Sequence, residues 1–324
     1  MPQNAITTRG LTKVFGHFTA VDGLNLDVKE GELFGLLGPN GAGKTTTVRM
    51  LCTLIEPTSG TASVAGYDLL REPAKVRRQI GVVSEGVMLY KELTIEENLS
   101  FLSKLYNLPK GDADKRMADL LEMFRFEEKA KRPVSALSSG WMKKALISAA
   151  LLHSPKILFL DEVTSGLDPQ SAKALQDFTR KLCNEGVTVV WTTHYMTEPE
   201  KICDRVGIVF AGRLIQVGSP SELKSKVSEL SVMEVETPGL SQEQVKKIRI
   251  LAEVCNVSYE DPALRITCVH DDKLAERVAK ILLSEGARIR SINTKRPTLE
   301  EAFIKLTGGE EEIDRFLEKS RAQK

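Results

Sequence analysis

Residues 38–46, Gly-Pro-Asn-Gly-Ala-Gly-Lys-Thr-Thr, carry the spacing G-x-x-x-x-G-K-[ST] directly after the apolar run Leu33-Phe34-Gly35-Leu36-Leu37. Such a loop turns its backbone N–H groups inward onto a polyphosphate without needing side chains. Gly38, Gly41 and Gly43 supply conformations and close approaches that a Cβ would obstruct, with Pro39, Asn40 and Ala42 completing the loop. Lys44 can reach the β- and γ-phosphates, and the Thr45 hydroxyl can ligate Mg²⁺. A helix expected over about 44–53, with Thr46 in its first turn, adds its positive end to the same anion. A second apolar run, Ile157-Leu158-Phe159-Leu160, ends in two acids, Asp161 and Glu162. At the carboxyl end of a buried strand Asp161 can hold Mg²⁺, usually through water, and Glu162 can act as general base or orient the attacking water. Two acids closing a strand are, taken alone, more often a solvated strand end; the phosphate loop upstream gives them a task. His194, after Thr192-Thr193, ends another strand and can face the γ-phosphate while its second ring nitrogen is held by a neighbour. Together these residues point to binding and hydrolysis of a nucleoside triphosphate.

The elements around them suit an α/β sheet covered on both faces. Residues 5 to about 83 are strand-rich, about 86–155 mostly helical, and buried strands return at 157–160 and 187–191 with a helix at about 171–183 between them. Thr94-Ile95-Glu96-Glu97 is a capping box opening a helix whose apolar positions include Leu99, Phe101, Leu102 and Leu105. With 324 residues the chain can form one large domain and a smaller one. Its net charge of +1 offers no electrostatic argument for nucleic acid or acidic lipid. No apolar stretch reaches the roughly 18 residues of a membrane span, and no signal peptide opens the chain. The five cysteines are scattered and lack C-x-x-C pairing, the pattern of reduced thiols rather than a disulfide frame or zinc site. These features place the protein in the cytoplasm as an expectation.

A phosphate loop with an acidic strand leaves kinases, GTPases, helicases and transport ATPases all open. Leu137-Ser138-Ser139-Gly140-Trp141, followed by a helix to about 152 and then the acidic strand, separates them. Here the chain resembles the ATP-binding cassette (ABC) family, whose signature loop is Leu-Ser-Gly-Gly-Gln. Ser165-Gly166-Leu167-Asp168 matches the family's D-loop, His194 its switch histidine, and Phe15 falls where the family stacks an aromatic on adenine. The resemblance covers about 5–222. It implies a P-loop NTPase cassette with a mainly parallel core sheet, N-terminal antiparallel strands and a helical subdomain at about 86–155. It further implies ATP and Mg²⁺ as cofactors, and a head-to-tail dimer with a second cassette, identical or different. In that dimer Ser138, Ser139 and Gly140 meet the γ-phosphate held by the other subunit, and the resemblance also counts Asp168 of the D-loop among the nucleotide-binding residues. Phe15 by itself could equally be a core residue.

Three residues depart from the family pattern. Glu85 stands where most members have a glutamine that touches Mg²⁺ and the attacking water; a carboxylate can still ligate Mg²⁺ but adds negative charge near the γ-phosphate. Ser139 replaces the first signature glycine and Trp141 the terminal glutamine. The site is expected to remain hydrolytic, because Lys44, Asp161, Glu162 and His194 are all present. The stretch 86–93 is rich in apolar and aromatic residues, either packing beneath the helical subdomain or forming a docking surface; the resemblance favours docking of an integral membrane permease.

Beyond residue 222 a β-α-β-β-α-β order predicts a small ferredoxin-like α+β domain over 223–308, with strands near 230–235, 254–259, 264–269 and 287–292. The closing segment Pro297–Gly308 and Tyr195-Met196 are similar to ATPases of the type-2 drug and sodium exporters, which implies export and a position on the inner face of the cell membrane. Residues 309–324 are expected as a charged tail, mobile or a solvated helix. A DNA or ribosome partner is not expected: no heptad run fills the interval between Lys44 and Ser138, and the chain has a single phosphate loop. The alternative function is a nucleotide-gated regulatory ABC protein with weak hydrolysis, suggested by Glu85 and Ser139.

Overall fold

The computed structural model describes residues 3–84, 89–226, 230–269, 273–295 and 298–322. They form two compact units, Met1–Pro220 with Thr307–Lys324, and Ser221–Leu306. The first unit opens with the hairpin β1 (Asn4–Phe15) and β2 (Phe18–Lys29), then β3 (Leu33–Leu37) and α1 (Lys44–Leu51). There follow β4 (Ser59–Val64), β5 (Tyr67–Asp68), α2 (Pro73–Gln79) and β6 (Ile80–Val83). The helices α3 (Ile95–Leu105), α4 (Lys110–Met123) and α5 (Ser139–Leu151) come next. Then β7 (Ile157–Asp161), α6 (Pro169–Asn184), β8 (Thr188–Thr193), α7 (Thr197–Ile202), β9 (Arg205–Phe210) and β10 (Arg213–Gly218) complete the sheet. A short helix α8 (Pro220–Ser225) starts at the division between the units.

Two sheets divide the labour. The antiparallel sheet runs β2-β1-β4-β5, and the central sheet runs β10-β9-β3-β8-β7-β6, parallel except for its β9–β10 edge. Every residue of β3, β7 and β8 is buried, which is why their sequences read as continuous apolar runs rather than alternating ones. The pairings Leu37↔Thr193 and Asp161↔Thr192 bring the carboxyl ends of β3, β8 and β7 to one edge. An open sheet of this kind receives its ligand outside that edge.

The capping box forms as expected: the Thr94 hydroxyl accepts from the Glu97 amide at 3.1 Å, and the Glu97 carboxylate accepts from the Thr94 amide at 2.8 Å. The face of α3 differs from the expected one. Ile95, Asn98, Leu99 and Ser103 are buried, whereas Phe101 and Leu105 are exposed. Asn98 is drawn inward by bonds to the backbone of Tyr90 and Thr94, and this rotation turns Phe101 and Leu105 outward.

The second unit contains β11 (Leu230–Glu236), α9 (Gln242–Arg249), β12 (Val254–Glu260), β13 (Ala263–Val269), α10 (Leu274–Ser284), β14 (Ser291–Lys295) and α11 (Leu299–Leu306). Its antiparallel sheet is ordered β12-β13-β11-β14, with α9 and α10 contributing Ile248, Leu274, Val278 and Leu282 to one core. The last strand begins at Ser291 rather than near 287, since pairing with β11 runs from Ser291↔Glu236 to Lys295↔Val232. The terminal segment, expected as a charged tail that is mobile or a solvated helix, is a helix, α12 (Glu310–Ala322), and belongs to the first unit. Ile313, Phe316 and Leu317 recur along it at helical spacing and are half-buried amid exposed charges. Among the described residues no helix is long and apolar enough to cross a membrane.

Helix α5 packs tightly on β6: a Cβ added at Gly81 would lie 2.4 Å from the Ala150 carbonyl oxygen. Gly81→Ala is therefore expected to cost about 1–3 kcal/mol and lower the thermal midpoint. Gly111→Ala on α4, where a Cβ meets nothing within 4 Å, should stabilise by about 0.5–1 kcal/mol. Differential scanning calorimetry of the two variants measures the contrast, and equal midpoints would exclude close packing at Gly81.

Candidate active site

The phosphate loop spans the gap between β3 and α1, and its shape is set from outside. A Cβ at Gly38 would fall 2.2 Å from the Val209 carbonyl oxygen, and one at Gly43 would fall 2.5 Å from that of Ala20. Gly43 also sits at φ 106°, a left-handed conformation that costs glycine nothing. It offers no side-chain cap to α1, so the amides of the first helical turn are available to an anion. The Ala42 carbonyl accepts from the Gly212 amide at 3.0 Å, and the Ala42 amide donates to the Pro39 carbonyl at 3.2 Å.

Three elements then bring charge to this loop. The Lys44 ammonium, only 4% exposed, donates to the carbonyls of Gly38 at 2.8 Å and Pro39 at 3.1 Å, and lies 3.3 Å from Glu162 Oε1. Burial pushes its pKa below the usual ammonium value, while the Glu162 and Asp161 carboxylates pull it back up. Asp161, at the end of β7, accepts from the Thr45 hydroxyl at 3.3 Å and from the Thr192 hydroxyl. Burial raises its pKa despite those two hydrogen bonds. Glu162 follows at φ 51°, a left-handed conformation uncommon for a residue with a side chain, its amide donating to the Thr192 carbonyl and hydroxyl oxygens at 3.2 Å. That turn leaves its carboxylate, 20% exposed, between Lys44 and His194, whose Nδ1 is 3.3 Å from Glu162 Oε2. The His194–Glu162 approach is close without the alignment of a hydrogen bond, and His194 Nδ1 has no hydrogen-bond partner.

Lys44, Thr45, Asp161 and Glu162 line a cleft of about 850 Å³; His194, beside Glu162, is not among its lining residues. Its walls include Asn40, Gly41, Gly43, Lys44, Thr45, Thr46, Asp161 and Glu162, and at one end Phe15, half-exposed at the close of β1. Lys13 Nζ lies 5.1 Å from the centre of the Phe15 ring. Thr45 and Asp161 converge as hard oxygen donors, the chemistry that suits Mg²⁺. No group of three or more His, Cys, Asp or Glu side chains among the described residues could hold a metal ion, so any Mg²⁺ here would complete its shell with phosphate and water. Glu85 lies outside the described residues.

Ser138, Ser139 and Gly140 are not part of this cleft. Ser138 stands at the N-cap of α5 without a side-chain capping bond, and Ser139 is exposed beside it. With Leu167 and Ser171, Ser138 and Gly140 line a separate groove of about 250 Å³ that shares no lining residue with the cleft. Trp141, in the place of the signature glutamine, has the ammonium groups of Lys129 and Lys144 at 4.4 and 4.3 Å from its ring centre. Asp168 caps α6 by accepting from the Ser171 amide at 2.9 Å, and hydrogen bonds from the Ser171 hydroxyl and then its amide lower the Asp168 pKa. A third groove, of about 320 Å³, runs between the sheet and the helices and is lined by Leu54, Leu89, Tyr90, Leu102, Tyr106 and Ala149 among others. Leu89 packs inward and Tyr90 is exposed beside Phe101, so the stretch that sequence leaves ambiguous both packs and presents a surface; Gly86, Val87 and Met88 lie outside the described residues.

Sequence reasoning passed over Thr192, which holds Asp161 and the Glu162 backbone together; its only signal is a hydroxyl two residues before His194. It also passed over Phe18, His17 and Arg49, which share the cleft wall, and over Val209 and Gly212, whose backbone contacts carry no side-chain signature.

Both parts of the chain are similar to known proteins. Residues 21–165 match the ABC transporter family, and residues 218–307 match the C-terminal domain of DrrA1-3-like ATP-binding proteins. The linearmycin resistance ATP-binding protein LnrL of Bacillus subtilis (strain 168) is 36% identical over 94% of this chain and 98% of its own. The daunorubicin/doxorubicin resistance ATP-binding protein DrrA of Streptomyces peucetius is 36% identical over 95% of this chain and 93% of its own. Among solved structures, a dimeric ATP-binding cassette in a post-hydrolysis state with ADP and Pi is similar at a TM-score of 0.60. It is 27% identical and covers 66% of this chain and 98% of its own.

The buried Asp161 gives the site a pH signature. Its pKa is raised by folding, so its ionised form carries a native-state penalty that is complete above the raised value and fades as pH falls toward the unfolded value of about 3.9. Asp161→Asn should raise the melting temperature of the nucleotide-free protein near neutral pH by a few degrees, the effect of about 1 kcal/mol in a domain of this size. The gain should narrow as the buffer is taken toward pH 4. A variant that melts lower than the parent at neutral pH would mean that the Thr45 and Thr192 hydrogen bonds outweigh burial.

Proposed function

As a member of the ABC transporter ATP-binding family, the chain is an ATPase, and we propose that it is the motor subunit of an exporter for a drug or other small molecule. The observation that carries the chemistry is the placement of Glu162 between Lys44 and His194 at the mouth of the phosphate loop. ATP lies with its phosphates along Gly38–Thr46 and its adenine against Phe15. Lys44, already held by the Gly38 and Pro39 carbonyls, meets the β- and γ-phosphate oxygens. Thr45 and Asp161 would hold Mg²⁺, which when bound would supply positive charge to the phosphates as negative charge develops there. Glu162 takes the proton of the water that attacks the γ-phosphorus as the bond to the ADP oxygen breaks. With Nδ1 turned toward Glu162, Nε2 of His194 is the nitrogen left to reach the γ-phosphate.

The separation of the signature groove from the cleft supports a site completed in trans. The Ser138 hydroxyl and the N-terminus of α5 close over the γ-phosphate held by a second cassette, so that nucleotide binding drives head-to-tail association. The groove lined by Leu89, Tyr90 and Leu102 receives an integral membrane permease, whose exposed neighbours Phe101 and Leu105 extend the apolar surface. The protein then works at the inner face of the cell membrane. The drug-resistance names of its full-length relatives support export of a similar cargo class.

Glu162→Gln should bind ATP with near-parental affinity while phosphate release falls by about a hundredfold or more, the scale of a lost general base. Light scattering should find ATP shifting this variant to dimer mass, and the shift should disappear when Ser138→Arg is added. Unchanged phosphate release would remove Glu162 from the mechanism, and a shift that survives Ser138→Arg would remove the signature loop from the interface.

A further inference from the structure

Helix α12 (Glu310–Ala322) takes no part in the chemistry described so far, yet it rests on the element that shapes the phosphate loop. Phe316 packs on Phe210, with ring centres 4.8 Å apart and planes inclined by 50°. Phe210 is the last residue of β9 and is almost fully buried. It pairs with Arg213 across a two-residue hairpin, Ala211-Gly212, in which both residues have positive φ. Each side of that hairpin touches the nucleotide loop. The Val209 carbonyl is the atom against which Gly38 lies too closely for a Cβ, and the Gly212 amide donates to the Ala42 carbonyl at 3.0 Å. The Gly212 carbonyl in turn accepts from the Asp22 amide at 2.9 Å, and the Asp22 carboxylate pairs with Arg213 at 2.7 Å. The hairpin is thus the floor of the phosphate loop, and β9–β10 is the antiparallel edge of the central sheet, tied at its turn to Asp22 of β2.

Given the assignment of the cleft to ATP, we infer that α12 is a brace for nucleotide binding, and that Phe316 is a positioning residue acting on the phosphate loop through Phe210 and the Ala211-Gly212 turn. The loop binds phosphate through backbone amides, whose directions cannot be corrected by a side-chain rotamer. A floor that shifts by a fraction of an ångström misaims them, and preorganising the floor is therefore worth affinity. Half-buried Ile313 and Leu317 flank Phe316 on the same face, and the Arg315 pairs with Glu311 and Glu312 lie among the exposed side chains of the helix. The face toward the cassette is apolar and the outer side is charged, as a docked helix requires.

The full-length chain carries the test, with Phe316 replaced by Ala, Val and Tyr. Isothermal titration with a non-hydrolysable ATP analogue should find Phe316→Ala weakened roughly three- to tenfold, Phe316→Val intermediate and Phe316→Tyr close to the parent. In steady-state assays the KM for ATP should rise in the same order, with kcat at saturation within about twofold. Hydrogen exchange at the amides of 42–47 should quicken in the nucleotide-free Ala variant, a local change that a general loss of stability would spread over the whole sheet. Glu311→Gln, on the charged side, should change none of these. Equal affinity for parent and Phe316→Ala, both folded, overturns the brace; if the Ala variant does not fold, equal affinity for Phe316→Val does the same. A parent that does not bind the analogue at all would overturn the assignment of the cleft instead.

Discussion

A buried ammonium and two carboxylates share the carboxyl edge of one parallel sheet, and the rest of the cassette is arranged to hold them there. Lys44 is 4% exposed, so its charge must be met at close range: two loop carbonyls and the Glu162 carboxylate do so. Asp161 is buried with its ionised form disfavoured, held by hydroxyls rather than by a cation of the protein. That imbalance is the mark of a site kept for a ligand. A nucleotide bound with a divalent cation would supply the charges that the nucleotide-free fold leaves unmatched.

The sheet order converts this electrostatic arrangement into geometry. With β8 between β3 and β7, residues from three separate runs meet: Lys44 after β3, Asp161 ending β7 with Glu162 just beyond, and His194 after β8. Thr192 links them, one hydroxyl contacting Asp161 and the Glu162 amide together. The left-handed turn at Glu162 then swings its carboxylate off the strand axis and into the space above β8. Such backbone strain at a strand end, of order 1 kcal/mol or more, is affordable in a sheet whose three central strands are wholly buried.

The same surface also presents two regions that a single chain leaves open. The N-terminus of α5 lacks a side-chain cap and stands apart from the cleft, and the groove beside α3 exposes Tyr90, Phe101 and Leu105. An uncapped helix start leaves its amides free for a ligand, and a cluster of exposed aromatics is the kind of surface that marks a binding site. The second unit stands on its own core, a four-stranded antiparallel sheet with two helices.

The chain's local chemistry was readable before any fold was known. The phosphate-loop spacing, the apolar run ending in Asp161-Glu162, the Thr94 capping box and the order of elements in both units each follow from residues near one another in sequence, where glycine conformation, strand burial and helix capping act. Folding alone determined which groups those motifs would meet. That Phe101 faces outward depends on Asn98 bonding inward to the backbone of Tyr90, and that the terminal charged run is a packed helix depends on Phe210, far away in the chain. The floor beneath the phosphate loop is built from the carbonyl of Val209 and the amide of Gly212, groups that every residue of their kind possesses. Backbone contacts between distant segments leave no trace in residue type, so sequence offers the candidate catalytic side chains and tertiary structure alone decides how they are aimed.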